Sequence, residues 1–150
     1  MKEVIIKKLN SENLVAKGLK LSLEVFTKCN KMDYNDEGYR HFNSYIENKE
    51  QVSLLSMYGA FINENLVGII GVKENGQHIS LFFVDKKYQG LKIGRKLFAF
   101  AQNDTKANHI IVNSSTSAVE VYKKLGFNII RERVTKNGLT SVLMEYKNNN

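Results

Sequence analysis

The chain has one cysteine, Cys29, and no proline. A single thiol rules out an internal disulfide and cannot supply a metal cluster, which points to a reducing cytoplasm and to no resident metal. Nothing in the sequence explains the missing proline. No apolar run approaches membrane-spanning length, and Met1-Lys2-Glu3 leads into a strand-like segment, so neither a membrane span nor a signal peptide is expected. Acidic residues are outnumbered, with 15 Asp and Glu against 22 Lys and Arg, a formal charge of +7. That excess suits nucleic acid, an anionic cofactor or plain solubility. The aromatics fall into strand and helix patterns and form no basic, aromatic-studded face, which argues against a nucleic-acid partner. The charge is unevenly spread. From Asp85 to Lys106 six cations meet two carboxylates, whereas from Glu24 to Glu50 four cations meet six.

At 150 residues the expectation is a single domain, residues 1–150, around one core. The stretch that organises it runs from Ile79 to Ala101. Ile79-Ser80-Leu81-Phe82-Phe83-Val84 reads as a well-buried strand. Ile93, Leu97, Phe100 and Ala101 share one face of a helix. The polar connection Asp85 to Gly94 carries Gly90 and Gly94 at its helical end. A strand entering a helix in this way leaves backbone N–H groups without intrahelical partners, and the helix dipole adds positive charge there. Such an end suits a phosphate or pyrophosphate, with Lys92, Arg95 and Lys96 adding charge.

Elsewhere, Val4 to Leu9 reads as a strand, followed by a helix capped at Ser11 and ending near Cys29-Asn30. Its stripe holds Leu14, Gly18, Leu21 and Val25, with Val15, Ser22 and Phe26 beside it; Cys29 reads as a buried apolar residue. Lys31 to Glu37 reads as a polar loop, and Gly38 to Asn48 as a second helix carrying Tyr39, Phe42 and Ile46. Strands are predicted over Leu54–Ile62 and Leu66–Lys73 and, after the Asn75-Gly76 turn, from Gln77. His109 to Asn113 is a strand and Thr116 to Leu125 a helix that stops at Gly126. A hairpin of Phe127–Val134 and Leu139–Tyr146 about Asn137-Gly138 follows, and Lys147 to Asn150 reads as a frayed tail. This order predicts a layered α/β or α+β domain: a mixed, mostly antiparallel sheet of about seven strands with four helices.

Two segments carry a family resemblance. Gln89-Gly90-Leu91-Lys92-Ile93-Gly94 resembles the Q/R-x-x-G-x-G/A acetyl-CoA loop of the GNAT superfamily of N-acetyltransferases, with Lys92 where the motif has its first glycine. Asn113 to Phe127, ending Tyr122-Lys123-Lys124-Leu125-Gly126-Phe127, resembles that superfamily's second motif, with Ser115 where many relatives carry Asn. The resemblance implies acetyl transfer from acetyl-CoA to a primary amine by direct attack. It implies that backbone N–H groups from Gln89 through Gly90, Leu91, Lys92, Ile93 and Gly94 to Arg95 take the pyrophosphate. Phe82, Phe83 and Val84 would line the pantetheine channel, an N–H near Val84 facing the thioester oxygen. Asn113, Ser115, Ala118 and Tyr122 would complete the cofactor site, Tyr122 serving as the general acid toward sulfur. His78 stands where the histone-acetylating branch carries a glutamate base, and an imidazole there could take the ammonium proton. Asp33, Asp36 and Glu37, on the acceptor side in the family, would steer a cationic amine. The acceptor class is a small-molecule or peptide amine, and free strand edges leave a homodimer open. The competing reading is a non-catalytic acyl-CoA-binding module of the same fold.

Overall fold

The computed structural model describes residues 3–148. Chain order is β1 (Ile5–Lys8), α1 (Glu12–Cys29), a 3₁₀ turn (Lys31–Asp33), α2 (Asp36–Glu47), α3 (Lys49–Ser53), β2 (Ser56–Ile62), β3 (Asn65–Lys73) and β4 (His78–Val84). After a 3₁₀ turn at Lys86–Tyr88 come α4 (Ile93–Thr105), β5 (His109–Ser114), a third such turn (Thr116–Ala118), α5 (Val119–Leu125), β6 (Asn128–Lys136) and β7 (Leu139–Lys147). The strands form one seven-stranded sheet in the order β1-β2-β3-β4-β5-β7-β6. Every neighbouring pair is antiparallel except β4 and β5, which are joined through α4. The mixed, mostly antiparallel sheet is the one the sequence predicts.

Differences of detail have local causes. A fifth helix, α3, forms because Asn48 Oδ1 accepts from Gln51 N at 3.0 Å, capping a turn in the stretch between the expected second helix and the strand expected from Leu54. On α4 the buried aromatic is Phe98, 6% exposed, while Phe100 is 39% exposed and lies edge-on to Tyr58. Lys147 belongs to β7, and Asn148 N donates to Asn108 O at 2.7 Å, so the sheet takes in the start of the expected tail. Met1, Lys2, Asn149 and Asn150 lie outside the described residues.

Two cores cover the two faces of the sheet. One face packs Tyr58, Ile70, Ile79, Phe82 and Val84 against α4 and α5. The other packs Met57, Phe61, Ile69, Leu81 and Phe83 against α1 and α2. Residues 79 and 81 should share a face in a regular strand, yet they point to opposite cores. The reason is a β-bulge. Gly71 pairs with Leu81 and Val72 with Ile79, so Ser80 is an extra residue with no partner across the ladder. A bulge bends and twists its strand. β4 and β5 accordingly pair only at His78–Ile111 and Ile79–Val112, the two positions before the bulge. Beyond it, Ser80 to Val84 have no strand on their β5 side, and a V-shaped gap opens in the sheet.

Two features hold the walls of this gap. Phe26 stacks on Tyr34 and Phe42 at centroid distances of 4.7 and 4.1 Å, and Phe42 meets Phe83 edge-on, which fixes the end of α1 against β4. Asp33 is 5% exposed and ties the turn after α1 to the start of the α5 segment. Its carboxylate accepts from Thr116 N at 2.9 Å and from Thr116 Oγ1 at 2.7 Å. The amide end of that helical segment favours the negative charge. Replacing Asp33 with Ala should therefore cost about 2–3 kcal/mol, because a charge-assisted pair of bonds is lost and a buried N–H is left unpaired. Urea denaturation measures this, and an unchanged midpoint would show that the brace carries no load.

Candidate active site

The gap between β4 and β5 deepens into a cleft of about 780 Å³. It passes through the sheet: Phe82 and Val84 line it from the α4 face, Phe83 from the α1 face. The start of α4 and the side of α5 form the walls on one face. The end of α1, with Val25, Lys28, Cys29 and Asn30, forms the wall on the other.

The α4 wall begins with Gln89, whose Nε2 donates to Val84 O at 3.1 Å and ties the loop to the end of β4. Gly90 follows at φ +89°, a conformation that glycine adopts without penalty. Lys92 caps the helix in the left-handed region, φ +63° and ψ +23°, with no side-chain cap bond. The first in-helix bond reaches Lys96 N from Lys92 O at 3.1 Å. Ile93, Gly94 and Arg95 thus present amides that have no intrahelical acceptor. A Cβ at Gly94 would sit 3.6 Å from the Phe82 ring, so glycine here keeps the channel beside β4 open. Lys28, Lys86, Lys92, Arg95 and Lys124 all line the cleft, and no Asp or Glu does among the described residues. Amide donors, a helix N-terminus and unopposed cations make this an anion site.

Tyr122 stands on the opposite wall. α5 ends in a paired turn in which Phe127 N donates to Tyr122 O and Gly126 N to Lys123 O, both at 3.0 Å, with Gly126 at φ +107°. That stop holds Tyr122 edge-on to Phe82 and Phe127, at 5.8 and 5.2 Å between ring centroids. The side chain is 6% exposed, and burial raises its phenol above the ordinary value. Its hydroxyl has no partner among the described residues, although it lines the cleft. Tyr58 donates to Asp104 at 2.6 Å, Tyr34 to Thr27 O at 2.8 Å, and Tyr146 accepts from Gln102 at 3.1 Å, while Tyr39, Tyr45 and Tyr88 are less buried and their hydroxyls, like that of Tyr122, have no protein partner among the described residues. The ring is buried in Tyr122 while the hydroxyl stays accessible from the cleft, so it can donate to whatever enters.

The structure brings most of the sequence-predicted residues to this cleft: Phe82, Phe83, Val84, Gln89, Gly90, Lys92, Ile93, Gly94, Arg95, Ser115, Ala118 and Tyr122. Leu91, 52% exposed, and Asn113 are not among the lining residues. His78 is not among the lining residues. It lies at the far end of β4, paired with Lys73, six residues from Val84 and so about 20 Å away along the strand. Burial, then the nearby Lys73, lowers its pKa below the usual 6.5. Asp33 is the Thr116 brace and faces no acceptor, while Asp36 and Glu37 sit exposed on the first turn of α2 outside the cleft. Lys28, Cys29 and Asn30 were missed, and Cys29 is half-buried on the cleft wall instead of sealed in a core. Only tertiary packing brings the end of α1 here, and no local signal carries that information. Among the described residues no group of His, Cys, Asp and Glu could hold a metal ion, and no helix is long and apolar enough to cross a membrane.

Lys92 pays for its position in backbone strain, since a left-handed conformation costs a non-glycine residue about 1 kcal/mol. Lys92→Gly should raise thermal stability by about that amount. A denaturation curve with a midpoint equal to or below that of the parent would show that the lysine side chain offsets the strain through contacts of its own.

A model of the acetyltransferase (GNAT) domain matches residues 30–148. By structure the chain is similar to a GCN5-related N-acetyltransferase from Rhodopseudomonas palustris, with TM-score 0.80, 19% identity and coverage of 98% of this chain and 97% of that one. It is also similar to the PaiA N-acetyltransferase of Thermoplasma acidophilum, solved in complex with coenzyme A, with TM-score 0.74, 19% identity and coverage of 97% and 99%. FeeM, an N-acyl amino acid synthase from uncultured soil microbes, shares the fold at TM-score 0.72 and 13% identity, over 98% of this chain and 91% of that one. No curated protein matches by sequence. The family model spans most of the chain and covers both the pyrophosphate-type loop and the Tyr122 wall, and the chain belongs to the GNAT acetyltransferase family.

Proposed function

We propose that this enzyme moves an acetyl group from acetyl-CoA to a primary amine by direct attack within the β4–β5 cleft. The observation that carries the reading is Tyr122, whose ring is buried and whose unpartnered hydroxyl opens onto a cation-rimmed passage through the sheet. The cofactor fits what is present. The amides of Ile93, Gly94 and Arg95, with Lys92, Arg95 and Lys124 beside them, suit the pyrophosphate and its neighbouring phosphate. The free edge of β4 from Ser80 to Val84 offers N–H and C=O groups to an extended chain bearing amides, as a missing strand would. When bound there, acetyl-CoA supplies the activated acetyl carbon.

The chain's own residues then divide the work. Phe82, Phe83 and Val84 exclude water and align the acyl end along the strand edge. With acetyl-CoA held there, Tyr122 would give its proton to the sulfur that leaves as the amine takes the acetyl group, and would regain one through water from the proton that the new amide nitrogen gives up. Because burial raises its pKa, Tyr122 stays protonated through the neutral range and remains competent as an acid. Among the described residues lining the cleft there is no His, Asp or Glu to act as base. The ammonium proton therefore leaves to water, and the reacting species is the free amine.

Tyr122→Phe should lower kcat by about 10²- to 10⁴-fold while leaving acetyl-CoA affinity nearly unchanged. In the parent enzyme kcat/KM for the amine should rise with pH through the neutral range, following the amine's own ionisation. His78 titrates below its usual 6.5, so a His78 base would be fully deprotonated above that point and the profile would be flat. Steady-state kinetics against pH measures both. A parental rate in Tyr122→Phe would overturn the acid role, and a profile flat from pH 6.5 that changes in His78→Gln would restore His78 as base.

A further inference from the structure

The proposed reaction leaves the acceptor unnamed, and the α1 side of the cleft constrains it. The cleft has two mouths because its lining belongs to both faces of the sheet. The mouth beside α4 and α5 holds the helix amides, Lys92, Arg95 and Lys124, which suit phosphates. The mouth beside α1 holds Val25, Lys28, Cys29 and Asn30 with Phe83. If the cofactor enters by the first, the acceptor enters by the second.

The charge at that second mouth has one sign. Lys28 has no ion-pair partner, and the Asn30 carboxamide has no hydrogen-bond partner, among the described residues. The nearest candidates for an opposing charge are committed elsewhere or lie outside. Glu24, one helical turn before Lys28, makes no ion pair with it and does not line the cleft, both oxygens of Asp33 are taken by Thr116, and Asp36 and Glu37 do not line the cleft either. A polycation arriving here would meet an ammonium with no carboxylate to compensate it. Like charges at contact distance in a partly desolvated cleft repel by more than the same pair in open water. An amine that also carries an anion reverses the sign of that interaction. Its anionic group can pair with Lys28 and accept from the Asn30 N–H₂ while the amine points inward to β4 and Tyr122. The overall charge of +7 favours the approach of such a molecule.

We propose that the acceptor is a primary amine carrying an anionic group a few bonds from its nitrogen, a carboxylate or a phosphate, and that Lys28 and Asn30 select it. This rests on the acetyl-transfer reading above and replaces the cationic acceptor that the acidic stretch of sequence suggested. Lys28 and Asn30 are then specificity residues that touch the acceptor and not the cofactor.

The test is a thiol-release assay with acetyl-CoA and matched amines: β-alanine against β-alaninamide, phosphoethanolamine against ethanolamine, and spermidine. Each is compared per unit of free amine, so that differing ammonium pKa values do not enter. At least one anionic amine should exceed its neutral partner about tenfold in kcat/KM, and the two pairs distinguish carboxylate from phosphate. Lys28→Gln should remove that advantage by raising KM for the anionic amine, with the KM for acetyl-CoA unchanged. Preference for spermidine, no discrimination within either pair, or discrimination that survives in Lys28→Gln would overturn the proposal. Titration calorimetry with acetyl-CoA separates this failure from failure of the site itself. Acetyl-CoA binding together with a spermidine preference overturns only the acceptor; no binding and no thiol release with any amine removes the acetyl-transfer reading and the acceptor with it.

Discussion

One extra residue in β4 sets the geometry of this enzyme. Ser80 has no partner in the β3–β4 ladder, and the bend it introduces limits the β4–β5 contact to His78 and Ile79. A regular strand would continue to pair, close the sheet and leave no room for a ligand. With the bulge, the four residues Leu81 to Val84 remain paired to β3 on one edge and are free on the other. The bulge also exchanges the faces of the strand. Phe82 and Val84 turn to the α4 side and Phe83 to the α1 side, so the gap is lined from both cores.

A split sheet is weak at the split, and the structure compensates at its rim. The Asp33–Thr116 bonds join the turn after α1 to the segment entering α5, across the gap from β4. Gln89 ties the α4 loop back to Val84, and the rings of Phe26, Phe42 and Phe83 lock the end of α1 to the strand. These contacts hold three walls at fixed separations with no ligand to bridge them. The strain at Lys92, about 1 kcal/mol, is small beside them and brings a cation to the mouth that the phosphates would use.

Much of this was legible in the sequence because it is local. The alternation and turn residues gave the order of elements, and the glycine loop and the Tyr122-to-Phe127 turn marked two walls of the cleft. What could not be read is tertiary. A bulge is invisible in Ile-Ser-Leu-Phe-Phe-Val, where every position but one is apolar and no alternation exists to be broken. His78 looked close to the chemistry because it is near in sequence, yet four residues of strand, about 13 Å, separate it from Phe82 beside Tyr122. Asp33 read as a polar-loop charge that would steer an amine because its partner, Thr116, is 83 positions away. Lys28 to Asn30 reach the cleft only through the packing of α1 over the sheet.

The central claim is that the free edge of β4 and the first amides of α4 together hold acetyl-CoA. Amide hydrogen exchange with and without coenzyme A tests it most directly. Protection should increase within Ser80 to Val84 and at Ile93 to Arg95, with β1, β2 and the far hairpin of β6 and β7 unchanged. Exchange that is unaltered in β4 while ligand binding is saturated would contradict the account, because the gap would then not be where the cofactor lies.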